Sequence, residues 1–140
     1  MKLGIIGSGM VGSTAAYAVV MRKAAGEIVL VDANKDRAIA EAADIIHAVP
    51  FSHETDVYAG NYDDLKDCNV IVIAAGATQK PGETRLSLME RNVKILDGIL
   101  SKTSVVAPDA VYLVATNPVD IITNTCVILG EKYGINRYKI

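Results

Sequence analysis

Apolar residues fall along this chain in short continuous runs, separated by longer stretches in which they recur at three- and four-residue steps. The runs KLGIIG, EIVLVD, TDVYA, NVIVIAA and VYLVAT are of strand length and rich in Val, Ile, Leu and Tyr, and each leads into a loop or a helix-length segment. All but TDVYA are apolar without alternation. A strand solvated on one face alternates, whereas a strand of a parallel sheet is buried on both and does not. The pattern therefore predicts five parallel strands with helices on both faces, an α/β doubly wound architecture. On KDRAIAEAADIIHAV the helical stripe is Ile39, Ala43 and Ile46. A further stripe, Leu86, Met89, Val93, Leu96 and Leu100, marks a helix that must end before Pro108.

Composition narrows the class without changing the architecture. The 140 residues suit one domain, 1–140, and no repeat, low-complexity tract or linker divides it. Charged residues make up 21% of the chain and the net charge is -2, with basic residues scattered, so a nucleic-acid partner is not expected. Cys68 and Cys126 stand far apart without C-x-x-C spacing, which disfavours a disulfide framework and a metal site and fits a reducing cytoplasm. The opening MKLGIIGSGMVGSTAAYAVV has the outline of a signal peptide, but four glycines and three hydroxyl residues break its apolar run. No stretch approaches the roughly 20 apolar residues of a membrane span. The final YGINRYKI reads as a helix end, a turn and the start of a truncated sixth strand, so a longer protein is expected, its further domain lying outside this chain.

Chemistry enters at Gly7-Ser8-Gly9-Met10-Val11-Gly12, between the first strand and the alanine-rich VGSTAAYAVVMRK. Gly7 permits a tight turn, Gly9 lets backbone N–H groups approach a pyrophosphate, and Gly12 lets helix and strand pack closely. The helix N-terminus supplies positive potential for phosphates. An ordinary glycine-rich turn would look the same. Asp32 separates the two readings: it ends the second strand 20 residues after Gly12, where a carboxylate can accept hydrogen bonds from both hydroxyls of an adenosine ribose. A 2'-phosphate would meet Asp32 as a like charge. Ala33 follows and no arginine stands there to neutralise it, so NAD is expected over NADP.

Two polar segments at strand ends remain. In Ala115-Thr116-Asn117-Pro118-Val119-Asp120, Asn117 can present an amide to a ligand or serve the Asn-Pro turn that starts a helix, and an X-Pro bond there can be cis. Spacing alone does not choose. GATQKPGETR interrupts the apolar pattern after the fourth strand, and from composition alone Arg85 is a solvent-facing arginine.

In order and spacing, GSGMVGS, EIVLVD, AAGATQKPGETR and ATNPVD resemble the nucleotide-binding half of the L-lactate and malate dehydrogenases, with a match along the whole chain. The resemblance implies a Rossmann fold binding NAD. Gly7, Gly9, Met10, Val11 and Gly12 would lie along the pyrophosphate, Asp32 at the ribose, and Arg37 and Tyr62 on the adenine side. Gly76 and Ala77 would line the cofactor, with Ala115, Thr116 and Asn117 approaching the nicotinamide. GATQKPGETR would be a loop closing over a 2-oxo or 2-hydroxy acid, with Arg85 polarising the ketone and Asn117 bonding the substrate oxygen. Gln79 and Asp120 would join the substrate site. Malate dehydrogenases place an arginine where Gln79 stands, so a neutral side chain points to pyruvate and lactate. His47 and His53 match no catalytic histidine of the family. That residue, its aspartate and the carboxylate-binding arginine would lie downstream, so this chain alone is expected to be inactive and its loop to be mobile or displaced, with little to close over. The full-length protein would be a homotetramer. A malate or branched 2-hydroxyacid dehydrogenase and a free-standing dinucleotide-binding module remain the alternatives.

Overall fold

The computed structural model describes residues 1–140. Its five strands, β1 (Lys2–Ile6), β2 (Glu27–Val31), β3 (Asp56–Ala59), β4 (Val70–Ile73) and β5 (Val111–Val114), fall on the five apolar runs. All pair in parallel in the order β3-β2-β1-β4-β5, with Ile5 of β1 opposite Leu30 of β2 and Val72 of β4. Side chains alternate across this sheet. Leu3, Ile5, Ile28 and Leu30 pack under α1 (Met10–Met21) and α2 (Lys35–Ile46). Ile6, Val29, Ile71 and Ile73 pack under α3 (Arg85–Val106) and α4 (Val119–Lys132) on the other face. Both faces of the central strands are covered, which is why their sequences do not alternate. From β1 the chain winds outward through β2 and β3, then crosses back to β4 and β5. Neighbouring connections thus leave β1 and β4 on opposite faces, opening a crevice at their carboxyl ends.

The structure departs from the sequence pattern at four places. In α2 the buried residues are Ala38, Ala42 and Ile45, whereas Ile39 is 58% exposed, Ile46 45% exposed and Ala43 exposed. The stripe has the expected period but lies one residue earlier, because small alanines let the helix approach the sheet closely. In α3, Leu96 and Leu100 are buried, but Leu86 stands out in solvent at the first turn, and Asn92, Ile99 and Thr103 complete the inner face. β5 is covered on one face only. Tyr112 is buried and donates its hydroxyl hydrogen to Thr103 Oγ1 at 3.1 Å, while Val111 and Leu113 are exposed on the side that α1 and α2 do not reach. Finally, no sixth strand begins near the end: Arg137–Lys139 form a 3-10 turn, and Ile135 tucks into the core beside α4.

Candidate functional site

The glycine turn is built by close approach. Gly7 adopts φ +99°, and a side chain there would drive a carbon to 2.5 Å from the backbone nitrogen of Ala75. A methyl at Gly12 would overlap the Gly7 carbonyl, so β1 and the first turn of α1 can lie this close only without one. Gly9 differs: a Cβ there meets nothing within 4 Å and its φ is an ordinary -73°. The space in front of Gly9 is open. Gly9 is also the N-cap of α1, with no side-chain cap and no acidic residue in the first turn. The leading N–H groups of the helix, at Met10, Val11 and Gly12, are therefore left for an anion.

Asp32 sits where β2 ends, beside this turn. Its Oδ2 accepts from Ser8 N–H at 2.7 Å and from the Ser8 hydroxyl at 3.1 Å, and its Oδ1 accepts from Asn34 N–H at 2.8 Å. Asn34 in turn caps α2 by accepting from Arg37 N–H at 3.1 Å. The carboxylate is thus aimed by backbone groups on both sides. Around it opens a cleft of about 480 Å³ that brings together Gly7, Gly9, Asp32, Arg37, Tyr62 and Gly76. Burial, and then the negative charge of Asp32, push the Tyr62 phenol above its usual pKa, and Lys102 Nζ lies 4.5 Å from the centre of its ring. Lys102, together with Lys94, Ile95, Gly98 and Ile99 of α3, forms the outer wall. Sequence reading missed these residues. Their signal is a second α3 stripe, at 94, 98 and 102, offset from the apolar one.

Beyond the crevice, the carboxyl ends of β4 and β5 are laced together. Thr116 is buried and its hydroxyl donates to the carbonyl oxygen of Ala75 at 2.8 Å and of Ile73 at 3.3 Å. Ala77 N–H donates to Oδ1 of the buried Asn92 at 2.8 Å. Ala115, Thr116 and Asn117 therefore stand beside Gly76 and Ala77, although they do not line the cleft itself. Asn117 is exposed and its bond to Pro118 is cis. Asp120 is exposed in the first turn of α4, where the helix dipole alone accounts for a carboxylate.

The segment 76–85 has an internal frame. Glu83 N–H donates to the Lys80 carbonyl at 3.0 Å across the Pro81-Gly82 turn, and Lys80 N–H donates to Glu83 Oε2 at 2.9 Å. Arg91 of α3 donates through Nη2 to the Thr78 carbonyl and to Glu83 Oε2, both at 2.9 Å. Its Nε lies 2.9 Å from Oε1 without hydrogen-bond alignment, so that contact is ionic only. Gln79 is exposed, and its amide donates to the Glu83 carbonyl at 2.8 Å. Arg85 opens α3 behind the Thr84 cap, exposed and in none of the ion pairs. Neither Gln79 nor Arg85 borders the cleft.

Lys80 N–H first, and then the Arg91 guanidinium, hold the Glu83 carboxyl below its ordinary 4.5. A carboxyl depressed by folding stabilises the folded form fully above its unfolded pKa and loses that contribution as pH falls through the folded value. Exchange protection of the Lys80 amide is therefore expected to be full above about pH 4.5 and to be lost as pH falls below it, and to be flat with pH in Glu83→Gln. Protection of the unaltered chain that persists to the acid end would contradict the clamp.

The histidines lie apart from the cleft. His47 is the exposed C-cap of α2, and His53 contacts the Thr55 hydroxyl at 3.2 Å near the start of β3. Both cysteines are buried and unbridged, with burial pushing each thiol up to about 11. No helix is long and apolar enough to cross a membrane.

Comparison with known proteins bears on this arrangement as a whole. The family model for the lactate/malate dehydrogenase NAD-binding domain matches residues 1–134. The L-lactate dehydrogenase of Geotalea daltonii is 52% identical over 135 residues, which cover 96% of this chain and 43% of that protein. Among solved structures, malate dehydrogenase from Archaeoglobus fulgidus in complex with NADH superposes with a TM-score of 0.90 at 38% identity, over 99% of this chain and 47% of that one. Minor L-lactate dehydrogenase from Enterococcus mundtii, in its ligand-bound form, gives 0.88 at 35%, over 93% and 42%. The chain thus spans less than half the length of the relatives it matches. On the family match over residues 1–134 and the all-parallel sheet shared with these structures, it belongs to the lactate/malate dehydrogenase family, as an NAD-binding Rossmann domain.

Proposed function

We propose that the chain is the nucleotide-binding part of an L-lactate dehydrogenase of the cytoplasm, which interconverts lactate and pyruvate with NAD and NADH. The observation that carries this reading is the aimed Asp32 carboxylate beside the open, uncapped start of α1. A carboxylate has about four acceptor positions, and three are taken by Ser8 N–H, Ser8 Oγ and Asn34 N–H. A ribose offers two hydroxyl donors. The Ser8 hydroxyl, the longest of the three contacts, turns away to admit the second. Met10, Val11 and Gly12 present N–H groups to the pyrophosphate, and Arg37 and Tyr62 flank the adenine. Gly76 stands on the nicotinamide side, with Ala77, Ala115, Thr116 and Asn117 beside it. NAD, once bound, accepts or supplies hydride.

On the substrate side, Arg85 stabilises charge developing on the carbonyl oxygen and Asn117 donates to the same atom. Asp120 stands at the margin of that site. Gln79 faces the side chain of the substrate, where its neutrality favours a methyl group over a second carboxylate. The sequence relatives support lactate: six of them, at 50–55% identity, are L-lactate dehydrogenases, whereas among the structural neighbours lactate enzymes at 28–36% and malate enzymes at 29–38% stand level. NADH consumption by the full-length protein, measured with pyruvate and with oxaloacetate, tests this; a higher kcat/KM for oxaloacetate would favour the malate reading. The remaining catalytic groups and a tetrameric assembly belong to that full-length protein.

A further inference from the structure

Asn92 is a polar residue on the inner face of α3, only 3% exposed, four residues ahead of the buried Leu96. A buried amide in such a position is costly unless it is bonded. Its Oδ1 accepts from Ala77 N–H at 2.8 Å, so the side chain reaches out of the helix layer to hold the backbone just past β4. From the opposite side Thr116 holds Ala75, and a Cβ at Gly76 would come within 2.8 Å of Thr116 Cγ2 and 3.6 Å of Asn92 Oδ1. The exit from β4 is thus pinched between one polar side chain of α3 and one from the end of β5. Ala74, Ala75 and Gly76 are also wall residues of the cleft. In the strand order they stand across β1 from Asp32, at the end of the crevice remote from the adenosine.

We infer that Asn92 is a positioning residue for the nicotinamide half of the cofactor. By holding Ala77 N–H it sets the backbone of Gly76 and Ala77 against which that half rests, without touching the cofactor itself. This rests on the NAD-binding reading of the cleft. The competing explanation is that Asn92 only satisfies a buried N–H and contributes to stability. The two differ in what each does to a truncated ligand. ADP carries the adenosine and pyrophosphate but nothing that reaches Gly76, so misplacing the β4 exit leaves it unaffected.

The test is calorimetric titration of the full-length protein with NADH and with ADP, in Asn92→Ala and Asn92→Asp. Asn92→Ala is expected to weaken NADH about tenfold, equivalent to about 1.4 kcal/mol, the scale of one hydrogen bond. ADP affinity should stay within about twofold. Asn92→Asp, which keeps an acceptor oxygen for Ala77, should recover NADH affinity to within about threefold of the unaltered protein. Should Asn92→Ala not fold, Asn92→Ser, whose hydroxyl is too short to reach Ala77, replaces it in the same comparison. Equal weakening of both ligands, no weakening of NADH, or an Asp variant no better than Ala would each overturn the positioning role. Unaltered protein that binds neither ligand would instead remove the cofactor reading, a separate result.

Discussion

Arg85→Ala in the full-length protein is expected to lower kcat for pyruvate reduction by about a hundred- to a thousandfold, the usual loss when one donor to a developing oxyanion is removed. Affinity for NADH should stay within about twofold, because Arg85 lies outside the nucleotide cleft. The expectation rests on the role proposed for Arg85 at the substrate carbonyl. The guanidinium is exposed, joins none of the ion pairs, and sits at the junction of the Glu83 frame and the first turn of α3. The charge is free and its base is anchored. Arg85→Lys should fall between the two, since it keeps the charge but loses the planar fork. Stopped-flow measurement of the hydride-transfer step separates chemistry from product release. A variant that loses NADH affinity instead of kcat would place Arg85 in the cofactor site and not at the carbonyl.

Gln79→Arg should raise the ratio of kcat/KM for oxaloacetate to that for pyruvate by roughly a hundredfold, or about 2.8 kcal/mol, a modest value for pairing a desolvated charge. The substitution is structurally mild. Gln79 contributes one bond, to the Glu83 carbonyl, whereas Lys80, Glu83, Thr78 and Arg91 form the frame without its side chain. Steady-state kinetics with both substrates decides the matter, and an unchanged ratio would remove Gln79 from the substrate site.

The parts of the fold legible in sequence are those where one physical requirement dominates. A parallel strand covered on both faces has to be apolar throughout, and the central strands β1, β2 and β4 appear as such runs, whereas the edge strand β3 reads TDVYA and is only partly buried. Where two apolar stripes compete, the larger residues mislead. In α2 the pattern favours Ile39, Ala43 and Ile46, but close packing on the sheet selects Ala38, Ala42 and Ile45. At β5 the run is apolar on both sides while the structure covers only the Tyr112 side, since an apolar sequence does not say what lies against it. The truncated sixth strand expected after Tyr133 is a 3-10 turn.

The site divides along the same line. Gly7 and Gly12 are legible because their roles depend on neighbours fixed by short spacing, and the structure supplies a steric reason for each; the place of Asp32 at the end of β2 is legible too, held there by Ser8 and Asn34. Gly9 is explained by the open space before it and not by any internal contact. Lys94, Lys102 and Asn92 were not legible: the first two look like a solvated helix face, and Asn92 sits where the helical pattern would put an apolar residue. The segment expected to be mobile or displaced carries an internal frame, Glu83 with Arg91, a pair eight residues apart that spacing alone does not single out.

The central claim is that Asp32 makes this an NAD site. Titrating the protein with NADH and NADPH under identical conditions tests it most directly. A 2'-phosphate placed against the Asp32 carboxylate at about 4 Å in a partly screened cleft costs on the order of 4 kcal/mol. NADH is therefore predicted to bind tighter than NADPH by roughly two to three orders of magnitude. Equal dissociation constants for the two would contradict the role of Asp32 and the account built on it.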